Sequence, residues 1–160
     1  MICNVRIDDR LIHGQTVTMW IPHFRATHTV IVSDEIARDE TRKAILKMGC
    51  PQSTKLSIFS IDTALEKLGR HIDDDIRIML LFNDPKPIVD LIKKGFKIDA
   101  VTVGNMSNKT GAKSIRKTIF VTEKDKEALL ELDNLGVKLI SQMVPNEPED
   151  TSVIDDIRKA

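Results

Sequence analysis

The chain has 160 residues, a length that fits one compact domain, with 41% hydrophobic and 30% charged residues. Lys plus Arg and Asp plus Glu both number 24, so the formal net charge is zero. This balance argues against a dedicated binder of nucleic acid or of anionic membranes, because such proteins normally carry a basic excess.

Seven short runs of apolar residues predict β-strands, and several lack a clean polar alternation, as expected of strands covered on both faces. They span residues 3–7, 29–32, 56–59, 76–82, 100–103, 118–121 and 138–142. A first helix is expected to begin near Gly14. No internal repeat, low-complexity tract or Gly/Ser linker interrupts the chain, so residues 1–160 are interpreted as one domain.

Helix start and stop signals lie between the later strands. They predict a helix capped by Ser60 that ends at Gly69, one opened by Asp84-Pro85 that closes at Gly95, and one opened by a Thr122–Asp125 capping box that stops at Gly136. After Pro145 the tail is rich in proline and acids, and a short helix is expected over 152–159.

Alternating strands and helices predict an α/β fold with a doubly wound, mostly parallel sheet of about seven strands and helices on both faces. The segment 117–121 or the final strand is a candidate for an antiparallel edge. Sites in such sheets form outside the carboxyl ends of strands, at the switch point of the strand order. The loops that follow strands are therefore where function is expected.

The loop after the first strand is the most unusual of these. It reads Arg6-Ile7-Asp8-Asp9-Arg10-Leu11-Ile12-His13-Gly14-Gln15-Thr16. A helix that starts near Gly14 offers free backbone N–H groups to an anion beside His13, and Gly14 permits close approach. A neutral imidazole is a nucleophile, and phosphoryl transfer needs little beyond in-line positioning and neutralisation of charge. The loop therefore predicts either a phosphoryl-transfer site at His13 or a solvated turn with local ion pairs in which His13 is a polar residue at the start of a helix.

The other residues of this loop also have predicted roles. Arg10 and Arg6 are each suited to present a fork of donors to phosphoryl oxygens. Asp9 or Asp8 is expected to fix the orientation and tautomer of the His13 ring, as carboxylates beside histidine ligands do. Leu11 and Ile12 are predicted either to dock a partner or to pack against the first helix, and Trp20 is predicted to be core.

The run from Arg6 to Gln15 resembles the active-site segment of the IIB subunits of the mannose/sorbose-type bacterial phosphotransferase system. Other segments resemble landmarks of that family, namely Trp20, 33–37, 101–106, 122–125, 136–138, Gln142 and Pro145. The resemblance covers about residues 2–145, and the tail 146–160 lies outside it.

The resemblance implies that His13 is phosphorylated at Nδ1 by a phosphohistidine of a IIA partner. The group then passes to a sugar during uptake through the membrane subunits IIC and IID, at the inner face of the membrane. Arg10 is implied to hold the phosphoryl group, and Arg6, Asp9, Gly14 and Gln15 match the same pattern. No metal or organic cofactor is required. The membrane subunits recognise the sugar in this family, so mannose, fructose, sorbose and N-acetylhexosamines all stay open.

Three other interpretations of these residues compete with a phosphoryl carrier. The segment 12–16 is similar to the Arg-His-Gly-x-Thr signature of histidine phosphatases, but Ile12 stands where the phosphate-clamping arginine belongs, and Arg70-His71 is a weak second half. The segment 111–114 resembles the end of a P-loop, but its lysine lies one residue later than the P-loop motif requires. A regulatory domain that retains the histidine loop is the third.

Two further features concern location and metals. Cys3 and Cys50 lie in no CxxC spacing, which favours a reducing compartment. No signal peptide and no apolar run of about 20 residues is present, so a cytoplasmic location is expected. The four histidines are scattered and predict no metal site.

Overall fold

A computed structural model describes residues 1–160 as eight strands and seven helices. The strands are β1 (Ile2–Asp8), β2 (His28–Val32), β3 (Lys55–Phe59), β4 (Ile78–Phe82), β5 (Ala100–Asn105), β6 (Lys113–Arg116), β7 (Ile119–Val121) and β8 (Lys138–Ser141). The first helix, α1, is π-helical over Thr16–Trp20 and α-helical over Ile21–Phe24. The others are α2 (Asp34–Ala37), α3 (Glu40–Gly49), α4 (Ile61–Leu68), α5 (Lys86–Lys93), α6 (Glu123–Asn134) and α7 (Val153–Lys159).

Six strands form one parallel sheet in the order β3-β2-β4-β1-β5-β8, which confirms the predicted α/β class. β1 lies in the middle, between β4 and β5. The chain runs from β1 to one side of the sheet for β2, β3 and β4, and then crosses to the other side for β5 and β8. The loop after β1 therefore opens at a switch point, where open α/β sheets form their sites.

The prediction of about seven strands in one sheet was wrong in its handling of residues 118–121. β7 pairs antiparallel with β6 in a separate two-stranded sheet, and Ile119 and Val121 are buried in the core. Burial of these side chains holds the hairpin against the domain, together with backbone hydrogen bonds to Met106 and a bond from Thr118 Oγ1 to Gly104 O at 3.0 Å. The final strand β8 is parallel to β5, so neither edge of the main sheet is antiparallel.

The sheet separates two hydrophobic clusters of unequal size. The larger cluster has 26 buried residues and includes side chains of α4, α5, α6 and α7. The smaller has 8 and includes Trp20 and Ile21 of α1 and Ile36 of α2. The predicted caps of α4 and α6 are confirmed, since Ser60 Oγ accepts from Thr63 N at 3.2 Å and the Thr122–Asp125 capping box is complete. The helix expected to open at Asp84-Pro85 begins at Lys86, whose N–H donates to Asp84 Oδ1 at 2.8 Å.

The tail is part of the fold. Val153 and Ile157 of α7 are fully buried in the larger cluster. Arg116 forms ion pairs with Asp150 and Asp156. The pKa of Asp150 is lowered to about 2, first by the Ser152 hydroxyl, then by the Ser152 backbone N–H and by Arg116. The short helix expected over 152–159 is therefore confirmed as α7, and it packs into the same core as the rest of the chain.

We expect Ile157→Ala to lower the free energy of unfolding by about 2–5 kcal/mol, because it opens a cavity in the core. Leu135→Ala is the matched control, since Leu135 is 43% exposed and its truncation leaves no cavity. Urea denaturation followed by circular dichroism measures both. Equal losses in the two variants would contradict the placement of α7.

Candidate functional site

A tight turn follows β1 and sets the direction of the histidine loop. Leu11 N donates to Asp8 O at 2.9 Å, and Arg10 N donates to Asp8 Oδ1 at 3.1 Å. Leu11 adopts a left-handed backbone with φ of 55°, which costs a residue with a side chain about 1–3 kcal/mol. Its side chain is only 1% exposed and belongs to the smaller cluster, and this burial offsets the strain. The turn therefore anchors itself in the core and leaves His13 at the surface.

The Asp8 carboxylate is the centre of the polar network. It is completely buried and accepts from Nε and Nη2 of Arg10, both at 3.1 Å. His13 Nε2 lies 3.1 Å from Asp8 Oδ2, and Arg6 Nε lies 3.8 Å from the same oxygen. A buried anion is costly unless it is paired, and here two guanidinium groups supply the positive charge.

The contacts of His13 define its tautomer. Besides Asp8, Nε2 contacts Thr16 Oγ1 at 2.8 Å, and that hydroxyl donates its own hydrogen to Leu11 O at 2.9 Å. A carboxylate donates nothing, and the Thr16 hydrogen is already used, so both neighbours of Nε2 act as acceptors. In the neutral ring the hydrogen therefore resides on Nε2, and Nδ1 carries the free lone pair. The His13 side chain is 17% exposed.

The start of α1 leaves backbone donors free next to His13. Neither Gly14 nor Gln15 donates its N–H to any protein acceptor, and Gly14 is exposed. The helix continues through Val17, whose N–H donates to His13 O at 2.9 Å. Free N–H groups at a helix start bind anions, because they add unpaired donors to the positive end of the helix dipole.

Arg10 lies at the rim of this site. Its side chain is 38% exposed, and Nη2 donates to Gln15 Oε1 at 3.2 Å in addition to Asp8. Its Nη1 makes no hydrogen bond within the chain. The structure thus brings Arg10, His13, Gly14 and Gln15 together, as the sequence predicted.

Arg6 takes a different place from the predicted one. Its guanidinium is fully buried, donates to Gln142 O at 2.9 Å and to Met143 O at 3.3 Å, and lies 4.3 Å above the Trp20 ring. Burial lowers its pKa to about 10, although Asp8 opposes the shift. A Cβ atom on Gly104 would lie only 2.1 Å from Arg6 Nη2. The expectation that Arg6 presents its fork to a phosphate is therefore corrected: Nη1 and Nη2 donate to carbonyls, and Nε, which has no hydrogen-bond partner, faces Asp8.

Asp9 also points away from His13. Its carboxylate accepts from Asn105 Nδ2 at 2.8 Å, from Ser107 N at 2.6 Å and from Ser107 Oγ at 2.9 Å. Asp8, not Asp9, is the carboxylate that contacts the ring. Asn105 and Ser107 therefore hold the histidine loop against the end of β5 and the segment that follows it.

Two of the three alternatives, the phosphatase and the P-loop, and the docking role of Leu11 lose their support in this geometry. Leu11 is buried and offers no docking surface, while Ile12 is partly buried against the smaller cluster. Arg70 and His71 follow α4, which runs back from the carboxyl edge of the sheet, so they cannot complete a phosphatase site at His13. Lys113 and Ser114 lie in β6, where a P-loop requires a helix.

The chain is similar to known proteins in both sequence and structure. The profile of one family, described as PTS system sorbose subfamily IIB component, matches residues 2–159. The fructose-specific EIIB component of Bacillus subtilis is 37% identical, over 95% of this chain and 93% of that protein. The mannose-specific EIIAB component of Escherichia coli is 33% identical over 90% of this chain, and the match takes up 45% of that longer protein.

A solved structure matches the whole fold. The IIBSor domain of the sorbose permease from Klebsiella pneumoniae superposes with a TM-score of 0.91 at 31% identity, covering 100% of this chain and 98% of that one. None of the helices has the length and hydropathy that crossing a membrane requires.

We expect the neutral His13 ring to carry its hydrogen on Nε2, and Asp8→Asn to raise the fraction protonated on Nδ1, because the variant removes the charge that stabilises Nε2–H. Ring ¹⁵N chemical shifts at alkaline pH report the tautomer directly. Asp9→Asn is the matched control, since the same change one residue later should leave the His13 spectrum unchanged. An Nδ1-protonated ring in the unaltered protein would contradict the assignment.

Proposed function

Because the chain belongs to the sorbose-subfamily IIB components of the phosphotransferase system, which are phosphoryl carriers in sugar uptake, we propose that His13 carries the phosphoryl group on Nδ1. The family makes the chain a phosphotransferase of sugar phosphorylation. The proposal assigns that activity to one atom of one residue.

One observation carries the assignment. Both partners of His13 Nε2, the Asp8 carboxylate and the Thr16 hydroxyl, are acceptors, so the nucleophilic lone pair is left on Nδ1. Of the other histidines, His23 and His71 are exposed and contact no carboxylate. His13 alone among the four combines a buried anion behind the ring with free amides in the next two residues.

The mechanism we infer has two displacements at phosphorus. The Nδ1 lone pair attacks a phosphohistidine of the donor in line, so that the new N–P bond forms as the donor's N–P bond breaks. The hydrogen on Nε2 stays in place, and the positive charge that develops on the ring faces the Asp8 carboxylate at 3.1 Å. A sugar hydroxyl oxygen then attacks the phosphorus, the N–P bond breaks so that Nδ1 regains its lone pair, and the hydroxyl proton is released to solvent.

The phosphoryl oxygens need positive charge and donors, and the rim of the site supplies both. Arg10 has an unused Nη1, and the N–H groups of Gly14 and Gln15 are free. Such preorganised donors stabilise a transferring phosphoryl group without a metal ion. We assign Arg6 and Asp9 positioning roles instead, since Arg6 supports Asp8 from behind and Asp9 fixes the loop to Asn105.

Two partners follow from this cycle. The donor is a IIA protein or domain, of the kind that the mannose relative's EIIAB name places in the same polypeptide, and the acceptor is a sugar held by IIC and IID membrane subunits. We propose that residues 1–160 form the single IIB domain that meets both, at the inner face of the membrane.

We expect His13→Ala to abolish acid-labile labelling by a phosphorylated IIA donor, because it removes the accepting nitrogen. His23→Ala, which changes an exposed histidine of α1, should label like the unaltered protein. Nuclear magnetic resonance of ³¹P distinguishes Nδ1 from Nε2 adducts. Retained labelling of His13→Ala would refute the site, and an Nε2 adduct would refute the tautomer argument.

We expect Arg10→Ala to slow single-turnover transfer by a factor that corresponds to about 2–4 kcal/mol, because a charged contact to the transferring group is lost. Rapid-quench measurement of His13 labelling gives the rate constant. Arg10→Lys restores the charge without the fork and should recover part of the loss. A rate unchanged in Arg10→Ala would exclude a contact between Arg10 and the phosphoryl group.

A further inference from the structure

We propose that the exposed face of α3 is the docking surface for the phosphodonor protein, and that the donor covers it with apolar side chains ringed by acidic ones. The α3 face consists of Thr41, Ala44, Ile45, Met48 and Gly49. The inference rests on the proposed function of His13, because it names the surface through which that residue is reached.

The first observation is that α3 has no partner for its apolar residues. None of its ten residues is buried, and Met48 and Ile45 are 86% and 62% exposed. Their spacing with Thr41 and Ala44 follows i, i+3, i+4 and i+7, which places all four side chains on one side of the helix. Adjacent exposed apolar residues on one helix face mark an interaction surface, whereas scattered ones do not.

The second observation is that the α3 face is continuous with the histidine loop. A Cβ atom on Gly49 would lie 3.5 Å from Ile12 Cγ2, so the last turn of α3 contacts the residue before His13. Met19 of α1, 42% exposed, adds a further apolar side chain six residues after His13. A standard interface buries about 800 Å² on each partner. A protein that delivers a phosphoryl group directly to His13 and covers such an area also reaches the end of α3.

The third observation is the sign of the charge. Residues 10–33 and 41–61 contain no Asp or Glu, in a chain that has as many acids as bases. Within these segments Arg42 and Lys47 form no ion pair, and Lys43 pairs with Glu40 at the beginning of the helix. The acids Asp34, Glu35 and Asp39 precede this beginning. The end of α3 that meets the histidine loop is therefore purely basic.

The basic charge of the α3 face also favours the phosphodonor protein, rather than the membrane subunits, as its binding partner. Before transfer, the unpaired cations of α3 and the free Nη1 of Arg10 attract a partner that carries an anionic phosphoryl group and acidic side chains. After transfer, the negative charge resides on His13 and repels the same acidic surface. The exchange of charge thus favours binding of the loaded donor and release of the unloaded one.

The test measures the donor step and the sugar step separately. The initial rate of His13 labelling is followed against the concentration of phosphorylated IIA protein for Ile45→Ala/Met48→Ala, with Leu135→Ala, an exposed leucine after α6, as the control. We expect KM for the donor to rise roughly tenfold or more in the double variant, with kcat within about twofold, since truncation of central interface residues weakens binding. The control should leave both constants unchanged.

A second pair of variants tests the basic charge of the α3 face and the identity of the protein that binds it. Lys47→Glu should raise the same KM and reduce its dependence on salt, whereas Lys124→Glu, on α6, should not. Labelling with an unchanged donor KM in both α3 variants would overturn the docking proposal and leave the proposed function standing. A loss confined to sugar phosphorylation would assign the face to the membrane subunits and overturn it as well. Absence of labelling in the unaltered protein would refute the proposed function itself.

Discussion

The burial of the Asp8 carboxylate is the constraint around which the site is built. A charge removed from water at the end of a central strand requires compensation, and Arg6 and Arg10 approach it from two sides. The Asp8 carboxylate also accepts a hydrogen bond from His13 Nε2. The Asp8 carboxylate therefore pairs with two cations and selects the tautomer of the His13 nucleophile. It also stabilises the positive charge that phosphorylation places on the His13 ring.

The pleat of β1 explains how this arrangement is produced. Val5 and Ile7 point into the larger core, so Arg6 and Asp8 share the opposite face of the sheet. Arg6 then extends under the segment that follows β8, where it donates to two backbone carbonyls, and Trp20 closes over it. The last strand of the sheet thus supports the first loop, although more than 130 residues separate Arg6 from Gln142.

Much of this could be read from the sequence, and the failures have physical reasons. Apolar runs and caps predicted the parallel sheet, because both depend on local chemistry, and the loop composition predicted the cluster at His13. The choice between Asp8 and Asp9 was within reach, since the pleat puts Asp8 on the face of Arg6. The helix α3 was missed because none of its residues is buried, so no core-facing stripe marks it. The hairpin was missed because β6 is polar and its pairing depends on tertiary contacts.

The contact between Gly104 and Arg6 has a consequence for how related sequences diverge. The guanidinium occupies the volume where any side chain at position 104 would begin, 2.1 Å from the would-be Cβ atom. The two positions are thus coupled across neighbouring strands, and their substitutions are non-additive. A side chain at position 104 therefore requires Arg6 to shift or to be replaced by a shorter residue, and a shortened Arg6 leaves Asp8 with one cation fewer. Drift at Gly104, on the strand next to β1, would in this way reset the electrostatics of the carrier histidine.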